Sequence, residues 1–123
     1  VEQPQAGAAD HIELEQLNGL IAAAGVEGAR EILNAFWSST EELLAAAAAQ
    51  VDGGDLETAA QTAHAIKGMA ANVGAAKLSS TASDLEVACR DKDAGAAPGH
   101  MNDARADFEA ARGWLLEHLK QAS

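Results

Sequence analysis

Residues 55–74, DLETAAQTAHAIKGMAANVG, decide the fold. Leu56, Ala59, Ala63, Ile66, Ala70 and Val73 recur at steps of three and four, the period of a helix with one apolar face. Asp55 is a good N-cap, and Glu57 lies near the positive end of the helix dipole. Asp52-Gly53-Gly54 breaks the chain before this helix, and Gly74 closes it.

The same spacing extends outward in both directions. A first helix is predicted from about Asp10 to Ala24, with Asp10 and Glu13 in capping-box spacing, a stripe of Leu14, Leu17, Leu20 and Ile21, and Gly25 as terminator. A second runs from about Val26 to Val51 on Leu33, Phe36, Thr40, Leu43, Leu44 and Ala47. The helix over 55–73 is the third. A fourth covers about Ala75 to Asp91, with Leu78, Ala82, Leu85 and Cys89 inward. After the loop Asp93–Ala97, Pro98 fits the first turn of a fifth, which carries Met101, Ala104, Phe108, Ala111, Leu115 and Leu119.

Aromatic residues make up only 3% of the 123 residues and Tyr is absent, so the core is built from Leu, Ile, Val and Ala. Such stripes pack helices closely and give little to a sheet. The class is all-α. Short connections between long amphipathic helices make neighbours antiparallel. Helices two to five are therefore expected as an up-down four-helix bundle, with the short N-terminal helix covering one end. Residues 1–9 read as a flexible linker or tail, and 10–123 as the domain. The start at Val1 fits excision from a longer chain.

A net charge of −11 argues against nucleic acid, whose phosphates need clustered Lys and Arg, and against an anionic membrane surface. No apolar run is long enough to span a bilayer and no basic segment precedes an apolar one at the N-terminus, so a cytoplasmic protein is expected. Cys89 falls on an apolar face and reads as a packing residue.

On the third helix, at about 100° per residue, His64 lies well round from the buried stripe. Its helical neighbours include Ala60, Gln61, Lys67, Gly68 and Ala71. Neutral imidazole is a nucleophile near pH 7, and one ring nitrogen can take a phosphoryl group while the other keeps its proton. Lys67 can offset the charge that arrives with phosphoryl oxygens. Gly68 removes a side chain beside the ring, at a cost of about 1 kcal/mol relative to Ala within a helix. Counting from the turn near Gly74, position 64 faces roughly 84 to 86 on the next helix. Glu86 is the first choice to accept the proton-bearing nitrogen of His64, and Asp84 the reserve. From periodicity alone, a surface His beside a surface Lys accounts for the pattern equally well.

At these residues the chain resembles histidine-containing phosphotransfer domains, the HPt modules of bacterial phosphorelays. The family pattern H-x-x-K-G, followed after five residues by G, is matched by His64, Lys67, Gly68 and Gly74. Gly54-Asp55, Asn72-Val73-Gly74-Ala75, and Leu85-Glu86 before Arg90 are also similar to the family, and the resemblance extends from Asp10 onward. It implies that His64 accepts a phosphoryl group from a receiver-domain aspartate and passes it to another. Lys67 and Gly68 carry over by motif position; at Glu86 relatives often have Gln. It further implies response-regulator receiver domains and a sensor or hybrid histidine kinase as partners. The domain would bind no cofactor itself, with Mg²⁺ expected on the receiver. It would act as a phosphoryl carrier without its own nucleotide site, and as a monomer. The receiver is expected to dock over Ala60, Gln61, Lys67, Gly68 and Ala71, with Ile12 extending the patch.

Other readings are a chemotaxis-kinase phosphoacceptor domain, which shares H-x-x-K-G, and a helical adaptor with no chemistry. A dimerising kinase hairpin usually has an acidic residue after the histidine and a Pro a turn later; here Ala65 follows and no Pro occurs before Pro98. A metal site is disfavoured because His11, His100 and His118 are dispersed, and no pair has i, i+4 spacing with a carboxylate.

Overall fold

The computed structural model describes residues 14–122, and side chains from 15 to 118. The predicted linker over 1–9, the Asp10–Glu13 capping box, His11 and Ile12 lie outside the described residues, as do the side chains of Leu14 and Leu119.

The apolar stripes form four helical elements: α1 (Leu14–Asp52), α2 (Leu56–Asn72), α3 (Ala76–Arg90) and α4 (Ala97–Ala122). No strand occurs among the described residues. The two N-terminal helices expected from sequence are both present within α1, divided by a kink at Gly25, whose φ of 79° and ψ of 168° are non-helical. Each helix packs on the next, and α4 returns to α1, so the bundle closes as a ring. The arm before Gly25 covers one end: Leu17 is fully buried, and the Gln16 amide donates to the Asn72 carbonyl at 3.1 Å. That carbonyl lies in the last turn of α2 and lacks a helical partner of its own.

Helix ends repeat one device. At the close of α1, the Asp55 and Gly54 amides donate back to Gln50 O (2.9 Å) and Val51 O (3.1 Å). At the close of α2, the Ala75 and Gly74 amides donate to Ala70 O (2.9 Å) and Ala71 O (3.3 Å). At the close of α3, the Asp93 and Lys92 amides donate to Ala88 O (2.8 Å) and Cys89 O (3.1 Å). This paired pattern needs a left-handed residue just past the helix, normally glycine. Gly54 (φ 81°) and Gly74 (φ 82°) supply it twice, and Lys92 (φ 58°) the third time. A side chain in that conformation costs roughly 1 kcal/mol.

The predicted stripes are buried throughout α2, α3 and the described part of α4. The core also takes in residues off those stripes, including Ala29, Trp37, Thr81 and Ala88. A bundle helix touches two neighbours, so its buried face is wider than one line of residues. Trp37 shows the effect, packing edge-on against both Phe36 (4.8 Å between ring centres) and Phe108 of α4 (5.8 Å).

Leu85 and Phe108 are fully buried, whereas Val87 on α3 is 55% exposed. Leu85→Ala and Phe108→Ala are each expected to lower unfolding free energy by about 2–5 kcal/mol in urea titrations followed by circular dichroism. Val87→Ala should change it by less than about 0.5 kcal/mol.

Candidate functional site

Turning Ala63, Ile66 and Ala70 into the bundle leaves His64 on the open side of α2, with its side chain 64% exposed. Across the α2–α3 seam stands Glu86, which is only 7% exposed. Its two carboxylate oxygens lie 3.3 and 3.2 Å from His64 Nδ1. An ionised carboxylate only accepts, so it favours the tautomer with the proton on Nδ1 and leaves Nε2 with a free lone pair. The Nε2 nitrogen is then the ring's nucleophilic atom.

Two cations share the same carboxylate. Lys67 Nζ is 3.8 Å from Glu86 Oε1, and the Arg90 guanidinium pairs with Oε2 from one turn along α3. Removing a carboxylate from water is costly unless it is paired and hydrogen-bonded. Here the imidazole, the ammonium and the guanidinium together meet that requirement. The Ser79 hydroxyl donates to the Lys67 carbonyl at 3.2 Å, a further tie between the two helices beside the site.

The structure therefore brings together His64, Lys67 and Glu86. Gly68 and Ala71 lie exposed on α2, and Gln61 is exposed on the same helix. A methyl group built at Gly68 would meet nothing within 4 Å, so no internal packing requires glycine there. Ala60, expected to form part of the open surface, is instead buried at 5% exposure. It lines the seam with Cys89 and Arg90, because the face of α2 turned toward α3 is broader than the single stripe implied. Asp84 is exposed and lines a groove of about 490 Å³ with Lys67, Ala71 and Ser79, away from the His64–Glu86 pair. A second groove, about 330 Å³, lies on the other flank and is lined by Glu57, Gln61, Arg90 and Lys92 among others.

Sequence reasoning placed Glu86 opposite His64 but missed that its carboxylate is buried and that Arg90 holds it. The signal for Arg90 was its i, i+4 spacing from Glu86. Cys89 is buried, and burial pushes its thiol above the ordinary range, which disfavours the reactive thiolate. His118 stacks on Trp114 with ring centres 4.9 Å apart. Among the described residues, no three or more His, Cys, Asp or Glu side chains converge as a metal site, and no helix is long and apolar enough to cross a membrane.

Comparisons with known proteins bear on the fold and the family. No curated protein sequence matches the chain. Among solved structures, histidine-containing phosphotransfer protein B from Pseudomonas aeruginosa is similar, with 25% identity and a TM-score of 0.85 over 92% of this chain and 97% of that one. A rice protein described as a histidine-containing phosphotransfer protein shares the fold at 19% identity, with a TM-score of 0.83 over 94% of this chain and 84% of the other. The family model for the Hpt domain matches residues 31–121. The chain belongs to the Hpt domain family, and its function is histidine phosphotransfer in phosphorelay signalling.

Proposed function

We propose that His64 is the residue that carries the phosphoryl group, received from and returned to aspartates of receiver domains. The observation that carries this reading is the pairing of an exposed imidazole with a buried carboxylate at 3.2 Å. In the forward step the Nε2 lone pair attacks phosphorus, and the P–O bond to the aspartyl carboxylate breaks. The carboxylate leaves with the bonding electrons. The ring becomes an imidazolium that keeps its Nδ1 proton against Glu86, so no proton has to leave. Transfer onward is the reverse, and the ring departs as neutral imidazole rather than as a poor anionic leaving group.

Lys67 offsets the phosphoryl charge, and the open space over Gly68 admits the partner's surface to the ring. Mg²⁺ is assigned to the receiver, where it would offset charge on the phosphoryl oxygens. The partners in this reading are receiver domains and a sensor or hybrid histidine kinase. The carrier is a cytoplasmic monomer whose domain extends from Asp10 onward, and it docks its partners over Gln61, Lys67, Gly68 and Ala71.

Incubation with a phosphorylated receiver should give acid-labile, base-stable labelling of the wild-type protein. His64→Gln should abolish that labelling while the helical circular dichroism spectrum stays native; label retained in this variant would overturn the assignment. Lys67→Ala should slow transfer about fivefold, as expected for the loss of roughly 1 kcal/mol from a partly exposed cation. Its thermal unfolding should show a folded protein. Glu86→Gln keeps an acceptor for Nδ1 and should transfer faster than Glu86→Ala in quench-flow measurements. Equal rates in those two variants would remove Glu86 from its orienting role.

A further inference from the structure

Four of the six buried side chains of α2 are alanines: Ala59, Ala60, Ala63 and Ala70, beside Leu56 and Ile66. Packed helices resist turning and sliding because ridges of side chains on one fill grooves on the other. A methyl group makes a low ridge. The alanines allow close approach but hold the rotation of α2 only loosely, and His64 rides on that rotation. A helix with its side chains is about 10–12 Å across, so turning it by ~10° carries a side-chain tip sideways by about 1 Å. The 3.2 Å contact between His64 Nδ1 and Glu86 would then open to about 4 Å, beyond hydrogen-bonding range.

Two side-chain hydrogen bonds supply the restraint that alanine does not. On the flank facing α1, the Thr62 hydroxyl donates to the Gln50 side-chain oxygen at 2.8 Å, with the Thr58 carbonyl also in reach at 3.1 Å. On the flank facing α3, the Ser79 hydroxyl donates to the Lys67 main-chain carbonyl at 3.2 Å. Both bonds are partly buried, which strengthens them and makes their geometry specific. Positions 62 and 67 bracket His64 along the chain, and the two bonds hold α2 from different neighbours. A bond on one flank leaves a helix free to pivot about it; bonds on two flanks do not. Packing alone gives no reason for hydroxyls here, since the chain fills other half-buried helical positions, Ala46 and Ala48 among them, with alanine.

We propose that Thr62 with Gln50, and Ser79, are positioning residues for phosphoryl transfer: their hydrogen bonds fix α2 between its two neighbours so that Nδ1 of His64 stays on Glu86 and Nε2 faces the partner. The inference rests on His64 being the phosphoryl carrier. None of these side chains touches the reacting atoms. They act through the placement of the ring, so their loss should lower the rate of transfer within the complex and leave binding of the receiver unchanged.

Nitrogen NMR of histidine-labelled protein reads which ring nitrogen of His64 carries the proton. With the ring neutral, that proton should sit on Nδ1 in the wild type and move toward Nε2 in the double variant Thr62→Val, Ser79→Ala. The saturating rate of transfer from a receiver charged with phosphoramidate should fall about three- to tenfold in the double variant and about twofold in each single one, less than the 10²-fold that a full 1 Å misplacement can cost. The half-saturating receiver concentration should not change. The double variant Thr62→Ser, Ser79→Thr keeps both hydroxyls and should keep the wild-type ring and rate. Thr81→Val removes the hydroxyl that ties α3 to Asp107 of α4, away from His64. It should melt at a lower temperature yet keep the wild-type tautomer and rate.

A wild-type tautomer, or a wild-type transfer rate, in the single and double variants alike would overturn the proposal. So would an equal loss of rate in Thr81→Val, which would reduce the effect to stability, or a loss of the same size in the hydroxyl-keeping variant. If the double variant does not fold, the single variants decide by the same two readings. If no receiver labels the wild-type protein, the failure lies with the phosphotransfer reading of His64, while the ring tautomer still decides whether these bonds position it.

Discussion

A carboxylate buried at the seam of two helices is the constraint on which the site depends. Glu86 is 7% exposed and carries its charge where water cannot solvate it fully, so the surrounding helices must bring it partners. They bring three: the ring of His64 and the ammonium of Lys67 from α2, and the guanidinium of Arg90 from α3 itself. Sliding α2 along α3 by one turn, about 5.4 Å, would break two of those contacts at once. The Gly74 turn fixes the register, and the bond from the Ser79 hydroxyl to the Lys67 carbonyl holds it between the turn and the site.

The distribution of bulk across the bundle follows from the same requirement. All four aromatic side chains, Phe36, Trp37, Phe108 and Trp114, belong to α1 and α4. The α2–α3 half buries many small residues, Ala59, Ala60, Ala63 and Ala70 on α2 and Ala82, Ala88 and Cys89 on α3, beside Leu56, Ile66, Leu78 and Leu85. Small residues let helix backbones approach closely, so a glutamate can span the gap to the imidazole on the neighbouring helix. The aromatic half supplies most of the large apolar groups whose burial holds the fold. Alanine thus serves geometry on one side of the bundle while Phe and Trp serve stability on the other.

Much of this was legible in the sequence because helix period and turn position are sequence-level quantities. The stripe of Leu56, Ala59, Ala63, Ile66, Ala70 and Val73 is the buried face of α2, and counting across Gly74 brought Glu86 to His64. What escaped was set by the width of helix contacts. Ala60 is buried one residue beyond its stripe, and Trp37 lies beside Phe36 rather than three or four positions from it. A stripe read at one residue per turn cannot show that a bundle helix faces two neighbours. The left-handed backbone at Lys92 escaped for a different reason, since nothing about a lysine announces positive φ. That conformation is imposed by the returning hydrogen bonds from Lys92 and Asp93 to the end of α3.

A relay carrier must release what it accepts, and the charge arrangement around Glu86 suits that reversibility. In the resting protein Lys67 and Arg90 are both directed at the carboxylate. In the transfer proposed for His64 the ring becomes cationic as Nε2 takes the phosphoryl group, and the carboxylate gains a stronger partner at a distance already set at 3.2 Å. Lys67 is then less tightly claimed by Glu86 and can turn its charge toward the phosphoryl oxygens. No proton is exchanged with solvent, no side chain has to cross the site, and no new group has to enter from the carrier's side. A network that had to rearrange would favour one direction of transfer by the cost of rearrangement. One that redistributes charge among groups already in contact leaves direction to the partners' own free energies of phosphorylation.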